Sequence, residues 1–130
     1  MVPEPTTPPR MASWNLALRF GLELMALAGL ATAAWKLTTG PVRPAAVVIL
    51  PLAAAVTWGV FNVVGDPSRS GAAPVEVPGW TRLVIELAIL CAGAIAFVLA
   101  GRPAVGIAYA IVVAFHYAVS WPRVQWLLGI

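Results

Sequence analysis

Two arginine–glutamate pairs are the residues of this chain most able to do chemistry. Arg19 precedes Glu23, and Arg82 precedes Glu86, by four residues in both cases. That spacing puts both charged side chains of a pair on one face of an α-helix. The surrounding residues are apolar, so these charges are expected to lie inside a membrane. A carboxylate in that position could carry a proton or hold an anionic group together with the arginines.

The composition of the chain is that of a membrane protein. Of its 130 residues 61% are hydrophobic and 10% are charged, and the mean hydropathy is +0.89. A soluble domain is far less apolar. The net charge of +3 comes from scattered residues, without the basic cluster that follows nucleic acid phosphates. The lipid bilayer is therefore an expected partner, and nucleic acid is not.

Proline, glycine and polar residues divide the chain into four predicted membrane helices. The proline-rich residues 1–12 are predicted to be a disordered tail, and residues 122–130 are interpreted as a C-terminal tail. The membrane domain then covers 13–121. Its helices are expected at about 14–37, 44–64, 80–100 and 104–121, with a loop at 65–79.

Simple lengths place both glutamates below the membrane surface. The helical distance from Glu23 to Lys36 is roughly 20 Å, whereas the hydrocarbon core is about 30 Å thick. If this helix spans the bilayer, Glu23 lies roughly 10 Å below the nearer interface. The distance from Glu86 to Arg102 leads to the same conclusion for Glu86.

The two halves of the sequence resemble each other. The Arg19–Glu23 motif returns at Arg82–Glu86, and the triplet at 43–45 returns at 102–104. Each half is predicted to be a helical hairpin, so the two hairpins form a parallel repeat about an axis along the membrane normal. The predicted fold is an all-α membrane protein, a four-transmembrane-helix bundle. Its first and third helices run parallel, with their charge pairs at the same depth.

Several polar residues are predicted to share one layer near the N-terminal side of the membrane. Arginine before glutamate is the weaker order for a pair within one helix, which favours crossed pairing of Arg19 with Glu86 and of Arg82 with Glu23. Unpaired charges in a bilayer are costly, so pairing is expected. Matching depths add residues from the other helices. The predicted intramembrane polar layer consists of Asn15, Arg19, Glu23, Thr57, Arg82, Glu86 and His116.

Two functions remain open at this point. The first is a non-enzymatic membrane protein of structural or partner-associating role, forming a homo-oligomer or binding another membrane protein, with the charged layer fixing helix register. The second is a small transporter or channel component that uses a protonatable glutamate and histidine site. No enzyme motif is present, and no cofactor or metal is expected, because one histidine flanked by arginines is a poor cation site.

The orientation in the cell membrane is predicted from the basic residues. Those outside the apolar runs divide evenly, with Arg10, Arg69 and Arg123 on the N-terminal side and Lys36, Arg43 and Arg102 on the other. Arg19 and Arg82 are expected to extend toward the N-terminal side, which favours cytoplasmic termini.

The same motifs carry a resemblance to a known family. They are Asn15-x-Ala17-x-Arg19-Phe20-x-x-Glu23-Leu24, Pro51, Trp58-Gly59, Arg82-Leu83-x-x-Glu86-Leu87 and Gly101-Arg102. From Ser13 to Trp121 the chain resembles the YrdB family of small bacterial membrane proteins, a family of unknown function. The resemblance implies four membrane helices and does not imply an activity.

Overall fold

The structure, a computed structural model, describes residues 7–69 and 72–130. Within them the chain is all-helical apart from one pair of two-residue strands. The elements are α1 (Ser13–Leu37), α2 (Val42–Val60), β1 (Phe61–Asn62), β2 (Val75–Glu76), α3 (Gly79–Leu99), α4 (Pro103–Val119) and α5 (Trp121–Leu128). Helices α1, α2 and α3 are long and apolar enough to cross a membrane, and α4 with α5 makes a fourth candidate if the bent pair is one span.

A tight turn joins α1 to α2. The turn contains Gly40, whose φ of +66° is a backbone conformation that suits glycine. The Nε of Arg43 then donates a hydrogen bond of 2.9 Å to the carbonyl of Thr38. The two helices therefore form a hairpin with a short connection.

Helix α2 ends four residues earlier than the predicted span 44–64. After Val60 the chain becomes extended, and β1 pairs in parallel with β2, with Phe61 opposite Val75. The predicted loop 65–79 thus contains a short strand. This pairing holds the end of α2 beside the start of α3.

Helices α1 and α3 run in the same direction and approach closely. Arg19 contacts Glu86, and seven residues later in each helix Ala26 lies against Gly93. A Cβ atom at Gly93 would be 2.8 Å from the Cα atom of Ala26. Small residues at such positions allow the backbones of membrane helices to come together.

Replacing Gly93 by alanine is expected to destabilise the protein by about 1–3 kcal/mol, because the new methyl group must push α1 and α3 apart. The measurement is thermal or denaturant unfolding of the purified protein in detergent. Gly21→Ala is the matched control, since a Cβ atom there has nothing within 4 Å. It should be neutral or stabilise by up to about 1 kcal/mol. Equal stability of both variants would contradict this packing.

The charge pairs do not lie at the same depth, contrary to the prediction from the repeat. The repeat aligns Arg19 with Arg82, but packing puts Arg19 against Glu86, four residues further along α3. Four residues are about one helical turn, or roughly 6 Å. The parallel direction of α1 and α3 matches the prediction, whereas the duplication itself stays a prediction.

Residues 122–130 do not form the predicted tail. They belong largely to α5, which is bent by 71° from α4. The buried residues of α5 are Arg123, Val124 and Leu127. The helix lies against the start of α3, where a Cβ atom at Gly79 would overlap the carbonyl of Leu127. Helix α5 thus closes the end of the bundle at which α3 begins.

Candidate functional site around Glu86

The carboxylate of Glu86 is fully buried and binds side chains from four helices. Its Oε1 accepts hydrogen bonds from Arg19 Nη1 (3.0 Å), Arg123 Nη1 (3.0 Å) and the Tyr117 hydroxyl (2.7 Å). Its Oε2 accepts from Arg82 Nε and Arg123 Nη2, each at 2.7 Å. A carboxylate offers about four lone-pair sites. These five residues, called the Glu86 cluster below, therefore leave it without free acceptor capacity.

Arg82 connects the cluster to the end of α2. Its Nη1 donates to the carbonyls of Trp58 (2.6 Å) and Phe61 (2.8 Å). Carbonyls at a helix C-terminus lack partners within the helix, so Arg82 satisfies groups that would be costly to bury. The ring centroid of Trp58 also lies 4.8 Å from Arg82 Cζ and 4.9 Å from Arg19 Cζ, within cation–π range. Both arginines are therefore held on the α2 side as well.

Asp66 ties the loop after β1 to α5. The Nε and Nη2 atoms of Arg123 bind its two carboxylate oxygens at 2.8 and 2.7 Å, a bidentate pair. Burial on its own would raise the pKa of Asp66, but the hydrogen bonds and the positive charge of Arg123 outweigh it and lower the pKa. Asp66 is therefore ionised at neutral pH and acts as a second counter-ion in the protein interior.

Asn15 and His116 form a separate polar group with Ser120. The Nδ2 of Asn15 donates to Ser120 Oγ at 2.8 Å, so its Oδ1 faces His116 Nδ1 at 2.7 Å. An oxygen that accepts there requires the proton on Nδ1, so in the neutral form of the ring Nε2 is the unprotonated nitrogen. His116 is fully buried, and its Nε2 has no hydrogen-bond partner among the described residues.

Two residues of the predicted layer lie outside these groups. The Thr57 hydroxyl donates to the carbonyl of Ala53 in its own helix. Glu23 has neither an ion pair nor a side-chain hydrogen bond within residues 7–69 and 72–130, so the expected pair of Arg82 with Glu23 is wrong. The one-turn shift between α1 and α3 explains it, because Arg82 reaches Glu86 on its own helix. The expected pair of Arg19 with Glu86 is present.

Sequence reasoning missed three residues that the structure places here: Asp66, Tyr117 and Arg123. Asp66 and Tyr117 carry no local signal, because a loop aspartate and a tyrosine near a helix end are ordinary. For Arg123 a local sequence signal was present. Pro122 suits the first turn of a helix, and Val124 and Leu127 are spaced three apart, as on the buried face of a helix.

The arrangement as a whole is a charge network with little room for chemistry. Three arginines face two carboxylates, Glu86 and Asp66, and the hydrogen bonds among them satisfy both acids. Among the described residues no three histidine, cysteine or acidic side chains come together as a metal would need. What the network can do is join elements that are distant in sequence.

Comparison with known proteins supports the family resemblance that the motifs indicate. The family model described as "Protein of unknown function (DUF2568)" matches residues 17–114. The chain is also similar to "Uncharacterized protein YrdB" of Bacillus subtilis (strain 168), with 40% identity over 115 residues, which are 88% of this chain and 94% of that protein. No solved structure matches it. The resemblance to the YrdB family is thereby confirmed, and the chain belongs to the DUF2568 family of proteins of unknown function.

Proposed function

We propose that this protein is an integral membrane protein with four spans that acts by associating with other membrane proteins, without catalysis. In this proposal the Glu86 cluster is the internal tie that holds the helices in register. The observation that carries it is the saturation of the Glu86 carboxylate by three arginines and a tyrosine. A substrate or proton would have to displace one of these partners.

The cluster reaches every helix of the described chain. Glu86 on α3 binds Arg19 of α1, Tyr117 of α4 and Arg123 of α5. Arg82 adds the end of α2, and Asp66 adds the loop after β1. Residues separated by up to about a hundred positions are thus bound to one side chain or its direct partners. Buried ion pairs are best supported in such register-setting roles.

Helix lengths support four crossings. The 17 residues of α4 measure about 26 Å, which is close to the thickness of the hydrocarbon core. The bend of 71° then turns α5 toward the plane of the interface, where the exposed Trp121 would suit the headgroup region. In this proposal both termini lie on the same side of the membrane.

The cytoplasmic position of the termini stays a prediction, and the argument from the direction of Arg19 and Arg82 no longer supports it. Arg19 and Arg82 were expected to extend toward the N-terminal side. In the structure both turn inward onto Glu86, and Arg123 does the same. Only Arg10 and Arg69 remain on that side outside the cluster, so a direct test of sidedness is needed.

Helix α2 is the proposed association surface. None of its residues is buried, although the helix is apolar. Its exposed large side chains are Val42, Val48, Ile49, Leu50, Leu52 and Val56. Lipid can cover these exposed side chains, and they are equally available to a second copy or another membrane protein.

Single cysteines in a Cys91→Ser background test the association and the topology together. Ile49→Cys on α2 is expected to form disulfide-linked adducts in native membranes on mild oxidation. Ile107→Cys on α4 is the matched control, because Ile107 is about as exposed as Ile49, 60% against 63%. Adducts equally frequent at both positions, or absent at Ile49→Cys, would argue against association through α2.

The same background reports the number of crossings. An impermeant maleimide should label Thr39→Cys and Ala104→Cys from one side of the membrane, and Glu76→Cys and Ile130→Cys from the other. Labelling of Ala104→Cys and Ile130→Cys from the same side would mean that α4 does not cross. The side on which Ile130→Cys reacts decides the prediction of cytoplasmic termini.

The alternative, a transporter or channel component that uses Glu86 and His116, lacks comparable support. Glu86 is saturated, and His116 binds Asn15 instead of an acid. Glu23, the other carboxylate of the predicted layer, lies outside the cluster and has no ion pair or side-chain hydrogen bond with the described residues.

A further inference from the structure

An apolar groove runs between the antiparallel helices α1 and α4. The helices meet where the rings of Trp14 and Phe115 lie 6.4 Å apart, and again where the Tyr109 hydroxyl donates to the carbonyl of Leu22 at 3.0 Å. Beside these contacts the groove has a volume of about 590 Å³. The described residues that line it carry no charge, and they include Ala17, Gly21, Met25, Val105, Ala108 and Val112.

Small side chains keep this groove open. A Cβ atom at Gly21 would have nothing within 4 Å, and Ala17 and Ala108 are both exposed. Leu22 and Tyr109 are buried and close its floor. In a bilayer the groove faces hydrocarbon, and a polar group placed in it would lose its hydrogen bonds to water. Its occupant must therefore be apolar over the length of the groove.

Both walls of the groove lead to a basic residue at the same end. On α1, Lys36 follows Met25 by 11 residues, which is about three helical turns and returns to the same face. On the other wall, Arg102 comes three residues before Val105, directly ahead of α4. Both basic side chains are exposed, and neither makes an ion pair with the described residues. An apolar groove that ends at unpaired positive charge is complementary to an amphiphile with an anionic head.

We propose that this groove binds one acyl chain of an anionic phospholipid, whose phosphate meets Arg102. Lys36 lies further out on α1 and adds to the positive field at the headgroup. The length of the groove fits such a chain. From Arg102 to Val112 the helix rises by about 15 Å, which is half of a hydrocarbon core about 30 Å thick. A chain that starts at the phosphate thus stays in the groove through one leaflet.

The inference goes beyond association through α2, because α2 does not line this groove. It shares with the proposed function only the crossing of the membrane by α1 and α4. The maleimide labelling described above tests that crossing separately. A failure of lipid binding can therefore be told apart from a failure of the proposed topology.

The test is photo-cross-linking of the full chain in phosphatidylcholine nanodiscs that contain increasing fractions of phosphatidylglycerol with a diazirine on its acyl chain. In the wild-type protein, cross-links should concentrate in residues 17–25 and 105–112 and should saturate. Arg102→Gln combined with Lys36→Gln should raise the half-saturating fraction about tenfold, because two positive charges near the phosphate are lost. Arg10→Gln is the control. It removes an exposed arginine before α1, at the other end of that helix, and should bind like wild type.

Filling the groove tests its apolar part. Ala108→Phe should abolish the cross-links at 17–25, because the ring takes the space of the acyl chain. Ala110→Phe is the matched control, since Ala110 is also exposed on α4 but does not line the groove. It should leave the half-saturating fraction unchanged.

Three results would overturn the proposal. Photoactivatable phosphatidylcholine that saturates at the same fraction would mean that bulk lipid covers the groove. Oleate that competes better than unlabelled phosphatidylglycerol would assign the groove to a free fatty acid. Disulfide-linked adducts of Ala108→Cys in the Cys91→Ser background would place a second copy there. If the double arginine and lysine variant fails to fold, Ala108→Phe and the comparison of headgroups still decide the proposal.

Discussion

Glu86→Gln is expected to destabilise the protein by about 3–5 kcal/mol, the usual effect of removing one partner of a buried ion pair. The substitution keeps the shape of the side chain but leaves Arg19 and Arg82 without a counter-ion, and Arg123 with Asp66 alone. Such a loss is a large fraction of the stability of a typical domain. It should appear as a lowered unfolding temperature in detergent and as poor accumulation in membranes.

Glu23→Gln is the matched control, since Glu23 occupies the same position in the first motif. It has no partner among the described residues, so its replacement should change stability by less than about 1 kcal/mol. A symmetric repeat with crossed pairs would make the two variants equally harmful. Similar effects of both substitutions would therefore contradict the asymmetric network of the structure.

Arg123→Gln is expected to cost about 3 kcal/mol, at the lower end of the range for a broken buried pair. Glu86 would keep Arg19 and Arg82, but Asp66 would lose both of its bonds to a guanidinium. Buried and ionised, it would keep the hydrogen bond from the backbone N–H of Ser68 but would have no cationic partner among the described residues. Unfolding measurements in detergent should show the loss, and α5 should become accessible to proteolysis.

A double-mutant cycle separates this pair from general damage. Asp66→Asn combined with Arg123→Gln should cost less than the two single changes added together, with a coupling of about 0.5–3 kcal/mol. Arg102→Gln is the control, because its side chain is exposed and makes no ion pair with the described residues. If Arg123→Gln were as harmless as Arg102→Gln, residues 122–130 would be the tail that the sequence suggested.

The part of the site that was predictable rests on local patterns. The four-residue spacing put Arg82 and Glu86 on one helical face, and the apolar surroundings placed them in the membrane. The cost of a lone charge there required pairing, and Arg19 with Glu86 is one of the pairs expected. The contact of Arg123 with Glu86 could not be predicted this way, because local patterns can indicate the helix Trp121–Leu128 but not the bend of 71° that turns it onto the bundle.

By itself the sequence determined that the chain forms apolar helices, where three of them begin and end to within a few residues, and that their charges must be neutralised. Helical periodicity, proline and the thickness of a bilayer suffice for that. Only the tertiary structure decided which charges meet. The close contact at Gly93 sets the axial position of α1 against α3, so Glu86 binds three arginines and Glu23 binds none among the described residues. A shift of one helical turn between α1 and α3 changes which charged side chains meet, although the sequence of each helix stays the same. No local sequence pattern can predict such a shift.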